Sequence, residues 1–110
     1  MAKITLSFTP EMEELIISGK KICTTRQEQK GAIGDTFTVR GSNYRIVDVQ
    51  PYRMESIAAN FYRLEGFSSR KDFVQYWDSL YGYPCHWDSI FLLFPVHFFT
   101  LIGGKGDATD

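Results

Sequence analysis

Apolar positions recur along this chain in two rhythms, and the switches between them lay out its elements. Ile4, Leu6 and Phe8 alternate with polar neighbours, which predicts a half-buried strand over residues 4–8. Met12, Leu15 and Ile16 then fall at helical spacing. Thr9 stands at the N-cap, Pro10 at the first helical position, and Glu11, Glu13 and Glu14 near the positive end of the dipole, so a helix is expected to about residue 18, closed by Gly19. The following stretch is β-branched and extended. Residues 27–34 are polar with two glycines and read as a loop returning at Gly34-Asp35 into a strand over 36–40. Gly41-Ser42-Asn43 signals a hairpin whose return strand, 44–49, ends before Pro51. Met54, Ile57, Ala58, Phe61 and Leu64 predict a second helix ended by Gly66. Ser69 with Asp72 fits a capping box opening a third, with Phe73, Val74, Trp77, Leu80 and Tyr81 as its stripe and Gly82 as its stop. Residues 83–88 form a loop. The apolar run 90–102 is interrupted by Pro95, and its second part, 96–102, reads as a buried final strand. Residues 103–110 are polar and glycine-rich, a tail expected to be disordered.

With 110 residues, 44% hydrophobic and 15% aromatic, the chain can build one ring-rich core without staples. A net charge of −1 supplies no long-range basic field to gather nucleic acid unselectively, so any nucleic-acid site must be local. Residues 1–53 carry eight basic and six acidic side chains and residues 54–110 four and seven, so the first half is the cationic half. Two cysteines, Cys23 and Cys85, do not read as a disulfide scaffold. No apolar run suits a signal peptide or approaches the ~18 residues of a membrane span, and a cytoplasmic protein with no membrane partner is expected.

The chemistry concentrates in Gly19-Lys20-Lys21-Ile22-Cys23-Thr24-Thr25-Arg26, where a helix stops and cations and hydroxyls follow at once. In an extended segment Thr24 and Arg26 share a face, while Lys21 points away unless a bulge intervenes. Glu65 falls in the last turn of the expected second helix, where the dipole disfavours a carboxylate by roughly 0.3–1 kcal/mol, the kind of broken local rule that a site requires. The plain alternative makes Lys21 a solvated charge, Thr24 an ordinary strand residue, Arg26 a partner for the glutamates of the first helix and Glu65 a surface carboxylate. Tyr52, Phe67, Tyr81, Tyr83 and Trp87 offer ring faces on which a base can stack, although most such rings pack in cores; Phe67, beside Glu65, is the one taken as substrate-binding. Cys23, Cys85, His86 and His97 lack metal-ligand spacing, so neither metal nor cofactor is expected. Gly31-Ala32-Ile33-Gly34 has no following lysine and helix and is a turn, not a phosphate loop.

Gly19, Lys21, Thr24 and Arg26 match the Gly-x-Lys-x-x-Thr-x-Arg pattern of the ASCH domain family, which the chain also resembles in its length, in Gly34-Asp35 opening a strand, and in Leu64-Glu65-Gly66-Phe67 before a helix. The resemblance spans roughly residues 3–102. It implies one α+β, PUA-like domain, a mostly antiparallel β-barrel of about five or six strands with three helices. Within that family the small amidohydrolases that deacetylate N4-acetylcytidine use a Lys, a Thr and a Glu. Carried over, these are Lys21, Thr24 and Glu65, with Arg26 and Phe67 at the substrate, although Gly66-Phe67 is closer to other branches of the family. The resemblance thus implies hydrolysis of an acylated cytidine nucleoside, by Thr24 attack with Lys21 as base or by water that Glu65 activates. The other expectation is an RNA-binding module, non-catalytic or with ribonuclease activity, which needs an open face aligning Lys20, Lys30, Arg40 and Arg45.

Overall fold

The structure, a computed structural model, describes residues 1–81 and 92–103. Helix α1 (Pro10–Ile17) begins as its sequence dictates: Thr9 Oγ1 accepts the Met12 N–H at 3.3 Å, and Met12 and Ile16 are buried. It closes in a Schellman motif, with the Lys20 N–H on the Leu15 carbonyl (3.0 Å), the Gly19 N–H on the Ile16 carbonyl (3.1 Å) and Gly19 at φ +82°. Strands β1 (Cys23–Thr25), β2 (Thr36–Val39) and β3 (Ser42–Tyr52) follow, then helices α2 (Met54–Asn60) and α3 (Arg70–Tyr81), and strand β4 (Phe94–Gly103). The sheet is antiparallel in the order β1-β4-β3-β2, so the last strand is central and carries β1 on its outer side.

The architecture is α+β, three helices with a curled four-stranded antiparallel half-barrel. Among the described residues there are four strands where five or six were expected, and residues 4–8 form none. Only Lys3 bridges Thr36, in parallel, and Ile4 adds one bond to the Thr36 carbonyl (2.7 Å); beyond that the segment buries Leu6 without a ladder. The hairpin turns earlier than expected, at Arg40-Gly41, whose φ values of +48° and +86° suit the right-handed twist of a two-residue turn. Ser42 and Asn43 are therefore already in strand, paired with Val39 and Thr38. Nor does Pro51 end β3: it stands opposite Pro95, and two residues without N–H groups fit one ladder position that asks for none. Val47 is the extra residue of a bulge between Ile46 and Asp48, 48% exposed, and bends β3 over the core.

Helix α2 stops at Asn60, short of the expected Gly66. Phe61 and Leu64 still pack on the core from the turn that follows, so their helical spacing misled about backbone while being right about burial. In α3, the Asp72 N–H is capped by Ser69 Oγ (3.1 Å), and Phe73 and Trp77 are buried. Two apolar clusters result. One joins Cys23, Phe94 and Val96 of the sheet to Met54, Ile57, Phe73 and Trp77 of α2 and α3. The other joins Phe37, Val39, Tyr44, Ile46 and Phe99 to Ile16 and Leu6. No helix among the described residues is long and apolar enough to cross a membrane. The expected loop at 83–88 and the expected tail at 103–110 lie outside the described residues, save Gly103, which closes β4 opposite Asn43 instead of opening a disordered tail.

Candidate functional site

The Schellman turn delivers Lys21 straight into contact with the segment after α2. Lys21 and Glu65 form an isolated antiparallel bridge, and the Ile22 and Cys23 N–H groups reach the Leu64 carbonyl at 2.8 and 3.3 Å. Extended backbone then does the sorting: Lys21, Cys23 and Thr25 point inward and are buried, whereas Ile22 between them is 42% exposed. All three inward side chains face Glu65. Lys21 Nζ lies 2.7 Å from Glu65 Oε1 and 3.3 Å from its carbonyl oxygen, and Thr25 Oγ1 donates to Oε2 at 2.6 Å. The ion pair is sealed, its side chains only 3% and 4% exposed. Burial, then the Glu65 charge, pushes the Cys23 thiol well above its ordinary range, which makes it an inert packing group.

Glu65 does not sit in the last turn of a helix, because α2 ends five residues before it. Its N–H bonds the Phe61 carbonyl at 3.0 Å in a single turn, and what aims its carboxylate is the bridge to Lys21. The dipole argument for this residue therefore fails. The solvated reading of Lys21 fails with it, since Lys21 is 3% exposed.

The opposite face of the strand carries Thr24 and Arg26. Arg26 Nε donates to Thr24 Oγ1 at 3.2 Å, one terminal nitrogen donates to the Ser7 carbonyl at 2.9 Å, and the guanidinium lies 4.8 Å from the Phe8 ring centroid. Burial lowers the Arg26 pKa against the opposing pull of Tyr81 and Glu65. The arginine that does bind the glutamates of α1 is Arg40, 3.2 Å from Glu13 and 2.8 Å from Glu14. Directly across the ladder from Thr24 is His97, fully buried. Its Nε2 accepts the Lys30 N–H at 3.0 Å, so Nδ1 carries the proton and donates to the Thr24 carbonyl at 3.2 Å. Burial holds the His97 pKa below its ordinary value. Loop 27–34 is thereby pinned beside the strand.

Both faces meet at one cavity of about 230 Å³. Lys21, Thr24, Thr25, Arg26 and Glu65 make its polar wall, and Phe8, Phe73, Tyr76, Trp77 and Tyr81 an aromatic one. The ring stack is tight, with Trp77 4.4 Å from Tyr81 and 5.4 Å from Phe94 between centroids. The buried Trp77 Nε1 has no hydrogen-bond partner among the described residues. Such a chamber admits a planar molecule with a polar edge, at a volume below the roughly 300–1,000 Å³ of drug-sized pockets.

Of the residues singled out from sequence, Lys21, Thr24, Arg26, Glu65 and Tyr81 line this cavity and Phe67 does not. Phe67 packs behind it, 5.6 Å from Phe73 and 5.3 Å from Tyr76, because the +100° φ of Gly66 turns the chain away directly after Glu65. Tyr52 packs on Phe61 at 4.8 Å, and Tyr83 and Trp87 lie outside the described residues. Sequence reasoning missed Thr25, whose signal was the alternation that pairs it with Lys21, and it missed Phe8, Tyr76 and Trp77 as walls. Among the described residues no three His, Cys, Asp or Glu side chains cluster to hold a metal; Cys85 and His86 are not among those residues.

No family model and no curated protein matches the sequence. Solved structures match over nearly the whole chain. Protein EF3133 from Enterococcus faecalis V583, of family DUF984, is similar with a TM-score of 0.66 at 14% identity, over 96% of this chain and 83% of that one. Hypothetical protein PH0355 gives 0.65 at 18% identity, over 92% and 98%. The ASCH domain from Lactobacillus crispatus JV V101 gives 0.63 at 14% identity, over 91% and 77%. At such identities the likeness speaks for backbone architecture alone, and with the three helices and curled antiparallel sheet it establishes that this chain has an ASCH-like fold.

Proposed function

We propose that the protein is an amidohydrolase that binds an acylated cytidine nucleoside in this cavity and removes the acyl group from its exocyclic amine. The observation that carries the reading is the sealed Lys21–Glu65 pair, 2.7 Å apart, in the polar wall of a cavity whose other wall is aromatic. A buried ion pair is an expensive way to hold a fold together, and beside a cavity it is suited to moving protons.

Hydrolysis of N4-acetylcytidine then proceeds in two halves. Within the pair a proton passes from Lys21 Nζ to Glu65, leaving an amine that accepts the Thr24 proton as Thr24 Oγ1 attacks the acetyl carbon. Arg26, which already donates to Thr24 Oγ1, stabilises the developing negative charge. The C–N bond breaks as Glu65 returns its proton to the departing amine, releasing cytidine. Water next attacks the acetyl–Thr24 ester, its proton going to Glu65 and then back to Thr24, and acetate leaves. The alternative in which Glu65 activates water directly omits the ester.

Cytidine appearance from N4-acetylcytidine tests this, measured beside Lys21→Ala, Thr24→Ala and Glu65→Gln. Each folded variant is expected to lose about 10²-fold or more. Trapping an acetylated Thr24 selects the first route. A parent without turnover, or turnover indifferent to Lys21 and Glu65, overturns the proposal.

A further inference from the structure

Glu65 has two oxygens, and the proposed chemistry uses only the one that Lys21 holds. The second, Oε2, accepts from Thr25 Oγ1 at 2.6 Å, the shortest of the hydrogen bonds around the pair. Thr25 is 6% exposed, lines the same cavity and, by strand alternation, stands on the face of Lys21 rather than that of Thr24. The two adjacent threonines therefore do different things. Thr24 receives a hydrogen bond from Arg26, whereas Thr25 spends its proton on the carboxylate.

We infer that Thr25 is a positioning residue: its hydroxyl holds the Glu65 carboxylate in the orientation that presents Oε1 to Lys21. The inference rests on the reading of Glu65 as the acid of the site. One partner on each oxygen holds the Glu65 carboxylate from both sides, and removing the Thr25 hydroxyl leaves Oε2 without this donor. Among the described residues, Lys21 and Cys23 on the same strand face, Arg26, Tyr81 from α3 and His97 from β4 also act on Glu65, and substituting Thr25 alters none of these side chains.

Thr25→Val removes the hydroxyl and keeps the β-branched shape, and Thr25→Ser keeps the hydroxyl. In Thr25→Val, kcat for N4-acetylcytidine is expected to fall about ten- to a hundredfold, the factor attached to losing a hydrogen bond to a charged group, with KM within about twofold. Thr25→Ser restores kcat. A second readout needs no turnover: at one fixed pH the 13C carboxyl resonance of Glu65, assigned by its loss in Glu65→Gln, is expected to move in Thr25→Val and to return to the parent position in Thr25→Ser. An unshifted resonance, or a Thr25→Ser as impaired as Thr25→Val, overturns the assignment. If the parent does not deacylate the nucleoside, the hydrolase reading falls and the Glu65 carboxyl resonance alone decides the role of Thr25.

Discussion

Removing one member of the Lys21–Glu65 pair leaves the other charge buried without its partner, so Lys21→Ala or Glu65→Gln is expected to cost stability as well as chemistry. The loss is about 3–5 kcal/mol for a buried pair broken from one side. Replacing both, as Lys21→Met with Glu65→Leu, is expected to recover most of it, because the pair's desolvation cost disappears with the pair. Urea denaturation of the single and double variants reads this directly; a double variant as weak as the singles refutes the argument. His97 makes a second residue-scale prediction. Its buried ring is neutral, and burial depresses its pKa below the ordinary 6.5. Below pH 6.5 the unfolded chain therefore takes up a proton that the folded chain refuses. The stability from His97 is complete above that pH and is lost as the pH falls toward the folded-state value. A melting temperature followed from pH 7.5 to 5 is expected to fall more steeply in the parent than in His97→Asn.

At the scale of elements, Gly19 and Gly66 both sit at positive φ but for different reasons. A Cβ at Gly19 meets nothing within 4 Å, so Gly19→Ala is expected to cost only the left-handed strain, about 1–2 kcal/mol. A Cβ at Gly66 falls 2.9 Å from Leu15 Cδ1 and 3.2 Å from Lys21 Cβ, so Gly66→Ala adds a clash between α1 and the base of the ion pair. Denaturation midpoints are expected to rank Gly66→Ala below Gly19→Ala, with activity lost only in the former. α1 was legible to within a residue, since Thr9, Pro10 and Gly19 signal its ends through local chemistry. α2 was not: Phe61 and Leu64 keep helical spacing while the backbone leaves the helix at Asn60, and periodicity reports which side chains are buried, not which conformation buries them. The hairpin shows the same limit at smaller size, because Arg40 takes a positive φ that its side chain does not advertise.

The whole molecule places the cavity between its two apolar clusters. α1 and the 7–9 segment supply one side and α3 the other, while the sheet holds Thr24 and His97 in register. Core damage on the α2 side should therefore lower stability without altering the chemistry of the site: Ile57→Ala is expected to cost about 2–5 kcal/mol in urea denaturation and to leave KM unchanged. The net charge of −1, and the engagement of Arg40 by Glu13 and Glu14, favour a small ligand over a polymer track. A labelled single-stranded RNA is expected to show no saturable binding at physiological salt. Tight binding that weakens linearly with log salt would restore the RNA-binding reading.

What the sequence determined by itself was the set of local decisions: the caps of α1 and α3, and a cationic, hydroxyl-bearing stretch after Gly19. Each of these depends on neighbours within a few residues, where spacing and propensity act. The tertiary structure alone decided that β4 is central, that Glu65 meets Lys21 across 44 positions of chain, and that Thr25 rather than Phe67 belongs to the cavity. Those outcomes follow from pairing between segments distant in sequence. A one-residue difference in register would have exchanged the faces of Thr24 and Thr25.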